Sequence, residues 1–419
     1  MGKGVEDDRA RENDPASLDH QGLSPEEIRT LKEELIAYSR TIGIDKIGFT
    51  TAEPFHELKK RLIEHQRLGY ASGFEEPDVE KRTNPRAILP SAQSIIAIAL
   101  AYPARMENPP RSRPGAYRGF ICRAAWGEDY HRILKGKLEQ LEQFIKERVP
   151  SAQCLSMVDT GALSDRAVAE RAGIGFVGKN TALITKEFGS WVYLGEMLTS
   201  IPFEPDEPVT ESCGSCTRCL DACPTGALVQ GGQLNAQKCL AYLTQVKTLV
   251  PKPFREKMGN RLYGCDTCQL VCPKNDGKNF THHPQMKPDP EVAKPLLKPL
   301  LFLSNRQFKE RFGSTAAAWR GKKPIQRNAI IALAHFKDQS AVPDLIRLLK
   351  EDPRPVIRGT AAWALGRIGG LQAVTALKEA KEREQDDSVR AEIEEALASC
   401  PPIATDAPVP DDDGDGKAE

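Results

Sequence analysis

Seven of the chain's eleven cysteines stand in two short runs, and no other feature so narrows what it can fold into. The first run is Cys213-x2-Cys216-x2-Cys219-x3-Cys223, followed by Pro224; the second is Cys265-x2-Cys268-x3-Cys272, followed by Pro273. Thiolates at this spacing hold iron–sulfur cubanes, and the proline after each last cysteine turns the chain away from its ligand loop. A zinc ribbon also pairs cysteines, but it has no use for a four-cysteine run closed by Cys-Pro. Metal spacing and a reducing compartment together argue against disulfides.

Two 4Fe–4S clusters need eight thiolates and the runs hold seven, because Leu262 stands where the second run's first cysteine is expected. Of the remaining four, only Cys239 lies between the runs, so it is the expected eighth ligand. In two-cluster proteins the last cysteine of each run crosses to the other cluster. The predicted sets are therefore Cys213, Cys216, Cys219 and Cys272 on one cluster, and Cys223, Cys239, Cys265 and Cys268 on the other. Cys154 and Cys400 read as ordinary packed or incidental thiols.

With 419 residues, 40% of them hydrophobic and 28% charged, the chain can build two or three cores. Its most apolar run, Ser94 to Tyr102, is too short to span a bilayer and reads as a buried central strand. The N-terminal stretch has neither an apolar segment nor a twin-arginine signal, so a soluble, cytoplasmic protein is expected. Net charge is zero but unevenly spread: Arg320 to Arg367 holds ten Lys/Arg against four Asp/Glu, while Lys378 to the end holds five against fourteen.

The expected fold class is α+β, in three folded parts. After a polar tail at 1–23, a capped helix from Ser24 opens a mixed α/β domain over 24–204, with strands near 45–50, 94–102, 154–158 and 191–198. A ferredoxin-like two-cluster domain follows over 205–280, then a proline-rich stretch at 281–320 that reads as an extended connector. From 321 to 400 the chain repeats itself: the Arg327 segment aligns with those at Arg358 and Arg390, as in a short HEAT-like array of helix pairs, and an acidic tail occupies 401–419. Arg327, Arg347, Arg354, Arg358 and Arg367 are expected on one face of the array, in a region whose basic excess suits nucleic acid.

Clusters move single electrons, so a two-electron reaction needs a further centre in the first domain. That domain has no GxGxxG opening a helix, no Walker motif and no DxHxxG corrinoid signature. What stands out is the block from Met157 to Asn180. Asp159 ends a predicted strand just before a glycine turn and a helix from about Ser164, either as a catalytic group aimed off the sheet edge or as a cap for that helix. Gly173, Gly175 and Gly178 follow in a loop.

Lys81-Arg-Thr-Asn-Pro, Ala125-Trp-Gly-Glu-Asp-Tyr-His131, Val158-Asp-Thr-Gly-Ala, Glu170 to Asn180, both cysteine runs and Arg327-Asn-Ala together resemble the epoxyqueuosine reductases, over roughly residues 24 to 400. The resemblance implies a cobalamin-dependent enzyme that reduces the epoxide of epoxyqueuosine to queuosine at the tRNA wobble position. It implies that the clusters feed cobalamin, that Asp159 is the proton donor, and that Arg82, Cys122, Asp159, Gly178, Lys179 and Asn180 lie near the corrinoid. To hold a proton at neutral pH, Asp159 would need a raised pKa, with Asp165 as fallback if the turn points Asp159 away. His131 is expected to hydrogen-bond at a helix N-terminus rather than ligate cobalt, and Cys122 is alternatively a packed core thiol. Arg320, Lys322, Lys323, Arg327 and Arg358 are the candidate tRNA phosphate contacts. An external flavodoxin- or ferredoxin-type donor, no membrane and a monomeric chain complete the expectation. The rivals are a corrinoid reductive dehalogenase, which would normally carry a twin-arginine signal and lack the repeat tail, and a non-catalytic ferredoxin-like carrier.

Overall fold

Ser24 accepts a hydrogen bond from the Glu27 amide while the Glu27 carboxylate accepts one from the Ser24 amide, and Pro25 takes the first helical position. This reciprocal cap starts helix α1, Pro25–Thr41, in a computed structural model that describes residues 22–400. The tails expected at 1–23 and 401–419 therefore lie outside the described residues, apart from Gly22 and Leu23. The apolar stripe of α1 (Ile28, Leu31, Leu35) packs with that of α2, Tyr130–Arg148 (Leu134, Leu138, Leu141, Ile145). Both cover one face of a four-stranded antiparallel sheet.

The strands are β1 Lys46–Thr51, β2 Ser94–Ala101, β3 Cys154–Met157 and β4 Val192–Thr199, in the order β1-β2-β4-β3. Every residue of β2 is buried, as its continuous apolar run requires of an inner strand covered on both faces. The second face is closed by α3, Asp165–Arg171, whose Val168 and Ala169 pack on Ile95, Ala97, Ala99 and Leu198. Glu196 stands opposite Ala97 on one side and Met157 on the other, so it projects toward that α3 face.

The cysteine-rich segment is built of one-turn helices and two- or three-residue strands, and both its ends are fastened to the N-terminal part of the sheet. At its entry, Asp206 accepts the Phe49 amide at 2.9 Å and pairs with Lys32 at 2.6 Å. At its exit, Nε2 of His282 and of His283 each lie 2.7 Å from an oxygen of Asp45, just before β1. Inside the segment, Arg261–Tyr263 pairs in parallel with Phe120–Ile121, which brings the Cys122 amide onto the Tyr263 carbonyl at 2.8 Å. Leu262, at the position of the absent cysteine, is fully buried in that strand.

Residues 281–320 are not an extended connector. They form helices Pro290–Ala293 and Asn305–Phe312, and Leu297, Leu300, Leu301, Phe308 and Phe312 enter the same core as the helical repeats. Several of the prolines that suggested extension instead occupy first-turn positions, where a missing N–H costs nothing. The repeats are α4 Lys322–His335, α5 Val342–Glu351, α6 Pro355–Ile368, α7 Leu371–Arg383 and α8 Asp387–Ser399. Helices α4 and α6 are buried almost all round, which explains their weak amphipathicity in sequence. Among the described residues, no helix is long and apolar enough to cross a membrane.

Candidate active site and cluster segment

Past the end of β3 the backbone turns sharply: Asp159 adopts φ +51°, in the left-handed region that aspartate tolerates better than most residues. The turn is held by the Asp159 amide, which donates to Oδ2 of Asp165 at 2.8 Å, and Asp165 in turn opens α3. The consequence is an outward-facing carboxylate, with the Asp159 side chain 61% exposed. Asp165 does not replace Asp159 at the surface; it sits behind it.

Two neighbours from the start of α2 meet this carboxylate. Tyr130 donates its hydroxyl to Oδ2 at 2.8 Å, and Nε2 of His131 faces the same oxygen at 3.4 Å. Asp129 caps α2 through the His131 amide at 3.1 Å and holds Nδ1 of the ring at 2.6 Å. His131 thus has the expected helix N-terminal role and in addition stands between two carboxylates. Burial opposes its charge, but Asp129 and Asp159 together raise its pKa to about 9. The raised pKa expected for Asp159 is not found: the hydrogen bonds from His131 and Tyr130 outweigh burial and hold it below the ordinary carboxylate value. The elevated groups lie behind it. Burial and the neighbouring Asp159 push Asp165 up to about 6, and burial lifts Glu196 well above its usual range.

Tyr130 belongs to a stack that the sequence reading missed. Ring centroids run from His131 to Tyr130 (4.1 Å), Tyr130 to Tyr193 (4.4 Å) and Tyr193 to Tyr102 (4.3 Å). The Tyr102 hydroxyl then meets Gln269 of the cluster segment at 3.4 Å. Tyr130 was visible beside His131 in the Asp-Tyr-His triplet, but only the sheet register brings Tyr102 and Tyr193 to it.

The eight cysteines, all free thiols, form two groups. Cys219 neighbours Cys213 and Cys272, and Cys272 neighbours Cys213 and Cys216. Cys239 neighbours Cys265 and Cys223, and Cys268 neighbours Cys265 and Cys239, with a smaller effect from Cys219 where the two groups approach each other. Burial raises Cys219, Cys272, Cys239 and Cys268, with adjacent sulfurs adding to the effect, so as thiolates they call for cationic metal. Cys223 differs: burial opposes ionisation, but the amides around Leu228, Thr225 and Ala227 lower its pKa. This donor set fits two cubanes.

Of the remaining candidates, Arg82 is half-buried among Glu75, Arg166 and Asp165, on the same side as the Asp159 turn. Cys122 is buried against Gly264, where a side chain at φ +72° would collide with its sulfur, and it neighbours Cys265 and Asp266. Lys179 is occupied with the first cluster loop: its Nζ donates to the carbonyls of Gly214 (2.8 Å) and Cys216 (2.9 Å), and its amide meets Sγ of Cys213 at 3.4 Å. Asn180 is buried and accepts the Ala182 amide, and a Cβ on Gly178 would strike Ile184 and Asn180.

The basic face of the repeats needs correcting. Arg327 is fully buried and reaches no phosphate: it donates to the carbonyls of Val246 and Thr248 (2.6 Å each) and Leu243 (2.8 Å). Beside it, Asn328 donates to Thr244 and Leu262 at 2.8 Å. The Arg-Asn pair buckles the repeats onto the chain that follows Cys239. Arg358 is held bidentately by Glu384, Arg354 by Asp352, Arg347 by Glu351 and Arg367 by Glu256. Lys322 donates to the Leu303 carbonyl, and Lys323 is partly exposed among Lys247, Arg354 and Arg327. Arg320 lies over both Phe74 and Trp319 at 4.7 Å, and these two aromatics, 39% and 53% exposed, meet edge to face. Trp319 also touches Tyr263, which neighbours Cys122 and Asp159.

Asp159 and Trp319, both neighbours of Tyr263, bring together an outward carboxylate, exposed aromatic surface and an imidazole already engaged by two carboxylates. Exposed rings suit the face of a flat macrocycle, and the engaged histidine is not free to bind its metal. A two-cluster segment joined to such a site defines an iron–sulfur oxidoreductase.

Comparison with known proteins narrows the class. Residues 82–160 match the family model "Epoxyqueuosine reductase QueG, DUF1730", residues 212–275 a 4Fe-4S double cluster binding domain, and residues 319–398 HEAT repeats. Epoxyqueuosine reductase of Bacillus subtilis (strain 168) is 63% identical over 367 residues, 88% of this chain and 95% of the relative; that of Bacillus cereus (strain ATCC 14579) is 62% identical, covering 88% and 97%. A crystal structure of epoxyqueuosine reductase with an epoxyqueuosine-modified tRNA-Tyr stem loop superposes with TM-score 0.88 at 62% identity, over 89% of this chain and 99% of that one. A Bacillus subtilis structure, 61% identical with TM-score 0.88 over 89% of this chain and all of that one, has an aspartate-bearing catalytic loop swung out of its active site. The chain belongs to the epoxyqueuosine reductase family.

Proposed function

We propose that the protein reduces epoxyqueuosine to queuosine in tRNA, with Asp159 donating protons at the substrate. The observation that carries the assignment of roles is the outward Asp159 carboxylate on its left-handed turn, bound by Tyr130 and faced by His131. Opening and removing the epoxide oxygen consumes two electrons and two protons and yields an alkene and water. The two clusters, on Cys213, Cys216, Cys219 and Cys272 and on Cys223, Cys239, Cys265 and Cys268, carry the electrons one at a time. Cobalamin, when bound near Arg82, Cys122 and Asp159, supplies the two-electron reducing centre.

The chain's own residues handle position and protons. Asp159 delivers protons to the departing oxygen, and the His131 imidazolium supports it from the α2 side. Trp319, Phe74 and Arg320 offer stacking surface to unpaired bases, and the partly exposed Lys323 is the remaining candidate for phosphate. Lys179 and Asn180 act on the cluster loops rather than on the corrinoid. A flavodoxin- or ferredoxin-type protein supplies electrons, and the chain works as a cytoplasmic monomer.

Near-full-length identity to epoxyqueuosine reductases sets aside both the dehalogenase and the carrier readings. The test is anaerobic reconstitution with cobalamin and a reductant on epoxyqueuosine-containing tRNA, with Asp159→Asn as control. Queuosine formation by the unmodified protein alone is expected. Failure to form it, with halogenated arenes reduced instead, overturns the reading.

A further inference from the structure

Deoxygenation needs two protons, and Asp159, kept ionised by Tyr130 and His131, can pass on only the one that His131 holds beside it and whatever another neighbour supplies. What stands behind Asp159 is a second and a third carboxyl group. The Asp159 amide is bonded to Oδ2 of Asp165 at 2.8 Å, and Asp165 heads the helix that covers Glu196. Glu196 lies mid-strand on β4, is 1% exposed, and among the described residues no N–H or O–H donor reaches either of its oxygens. A bare carboxylate with no donor in an apolar interior costs several kcal/mol, so the group is held as the neutral acid. The carboxyl that neighbours it is that of Asp165, and two facing carboxyls share a hydrogen bond only when one keeps its proton.

We propose that Glu196 and Asp165 form a proton store that recharges Asp159 from inside the sheet. The inference rests on the tRNA-reductase reading above. Glu196 gives its O–H proton to the Asp165 carboxylate, and Asp165 passes a proton to the spent Asp159 carboxylate. With the proton that His131 holds against the Asp159 carboxylate, this meets the demand of one turnover, and solvent refills the store afterwards. No electron moves along this path, and neither residue touches substrate. The charged groups around the store are Asp159 itself, Arg166 beside Asp165, Arg82 facing Asp165, and His131 beyond Asp159. A purely structural role for a buried neutral acid would tolerate glutamine, which keeps shape and neutrality. Proton delivery would not.

The test uses full-length, cluster-loaded protein. First, infrared difference spectra of the cobalamin-free protein in H2O and D2O should show the carbonyl band of a buried carboxylic acid, absent in Glu196→Gln. Second, with cobalamin and substrate tRNA, Glu196→Gln and Asp165→Asn should each lower kcat by at least about tenfold, within the range of lost acid–base assistance. The KM for tRNA should be unchanged, and Glu196→Asp should partly restore kcat. If Glu196→Gln fails to fold, the wild-type band and Asp165→Asn decide. Wild-type kcat in both variants across the pH range, or no acid band in the wild-type protein, overturns the proposal. If the wild-type enzyme forms no queuosine, it is the functional reading that fails.

Discussion

His131 stands 3.4 Å from the Asp159 carboxylate while its other nitrogen lies 2.6 Å from Asp129, so one imidazole bridges two acids. Its pKa is raised to about 9, against burial, by those two partners. A group whose folded pKa lies above its unfolded value contributes stability that is complete below about pH 6.5 and lost as pH rises through about 9. The melting temperature of the cobalamin-free protein should therefore fall across that window by more than the melting temperature of His131→Gln. Paired thermal denaturation series would show this as a gap between the two proteins that closes at alkaline pH.

Asp159→Asn keeps the turn's backbone hydrogen bond to Asp165 but removes the carboxylate that passes protons to the substrate. Turnover should fall by about 100-fold or more, the usual scale for a lost general acid. Cluster absorbance and tRNA affinity should stay at wild-type levels, which separates chemistry from folding.

Cys239 is the proposed cluster ligand outside the two runs, and it neighbours Cys223 and Cys265. Cys239→Ala should cut bound iron by about half and remove one of two cluster signals in electron paramagnetic resonance of the reduced protein. Cys154→Ala, at a thiol on β3 far from both groups in sequence, should leave iron content unchanged.

Arg327 carries a buried charge compensated by backbone carbonyls, and burial together with nearby Arg255 lowers its pKa to about 9. Arg327→Met would leave several of those carbonyls without a donor, at about 1–3 kcal/mol for each one that water cannot reach. Urea denaturation should show a loss on the order of 3 kcal/mol. Binding of tRNA to the still-folded fraction should keep its salt dependence, because no phosphate contact has been removed.

Trp319, by contrast, is exposed and braced by Phe74 and Arg320. Trp319→Ala should weaken binding of the modified stem loop by about tenfold, in line with 1–3 kcal/mol per stacked base. Fold and iron content should not change.

These contrasts show which physical information the sequence holds. Helix periodicity, the Ser24 cap and cysteine spacing are local patterns, and α1, α2, β2 and the grouping of eight thiols follow from them. Asp159 was legible as a strand-end acid. Its support was not, because Glu196 and Tyr193 reach the site only through the β2-β4-β3 register. Arg327 looked like surface charge since nothing in an Arg-Asn-Ala triplet reveals that the carbonyls after Cys239 lie opposite it. The prolines of 281–320 were read by their aversion to helix interiors, whereas several serve as helix starts.

The cluster segment is moored at both ends, through Asp206 to Phe49 and Lys32 and through His282 and His283 to Asp45. Two fixed ends leave the cysteine loops little freedom to drift from the sheet, so the span an electron must cross to reach the Asp159 turn is set by protein contacts as well as by metal.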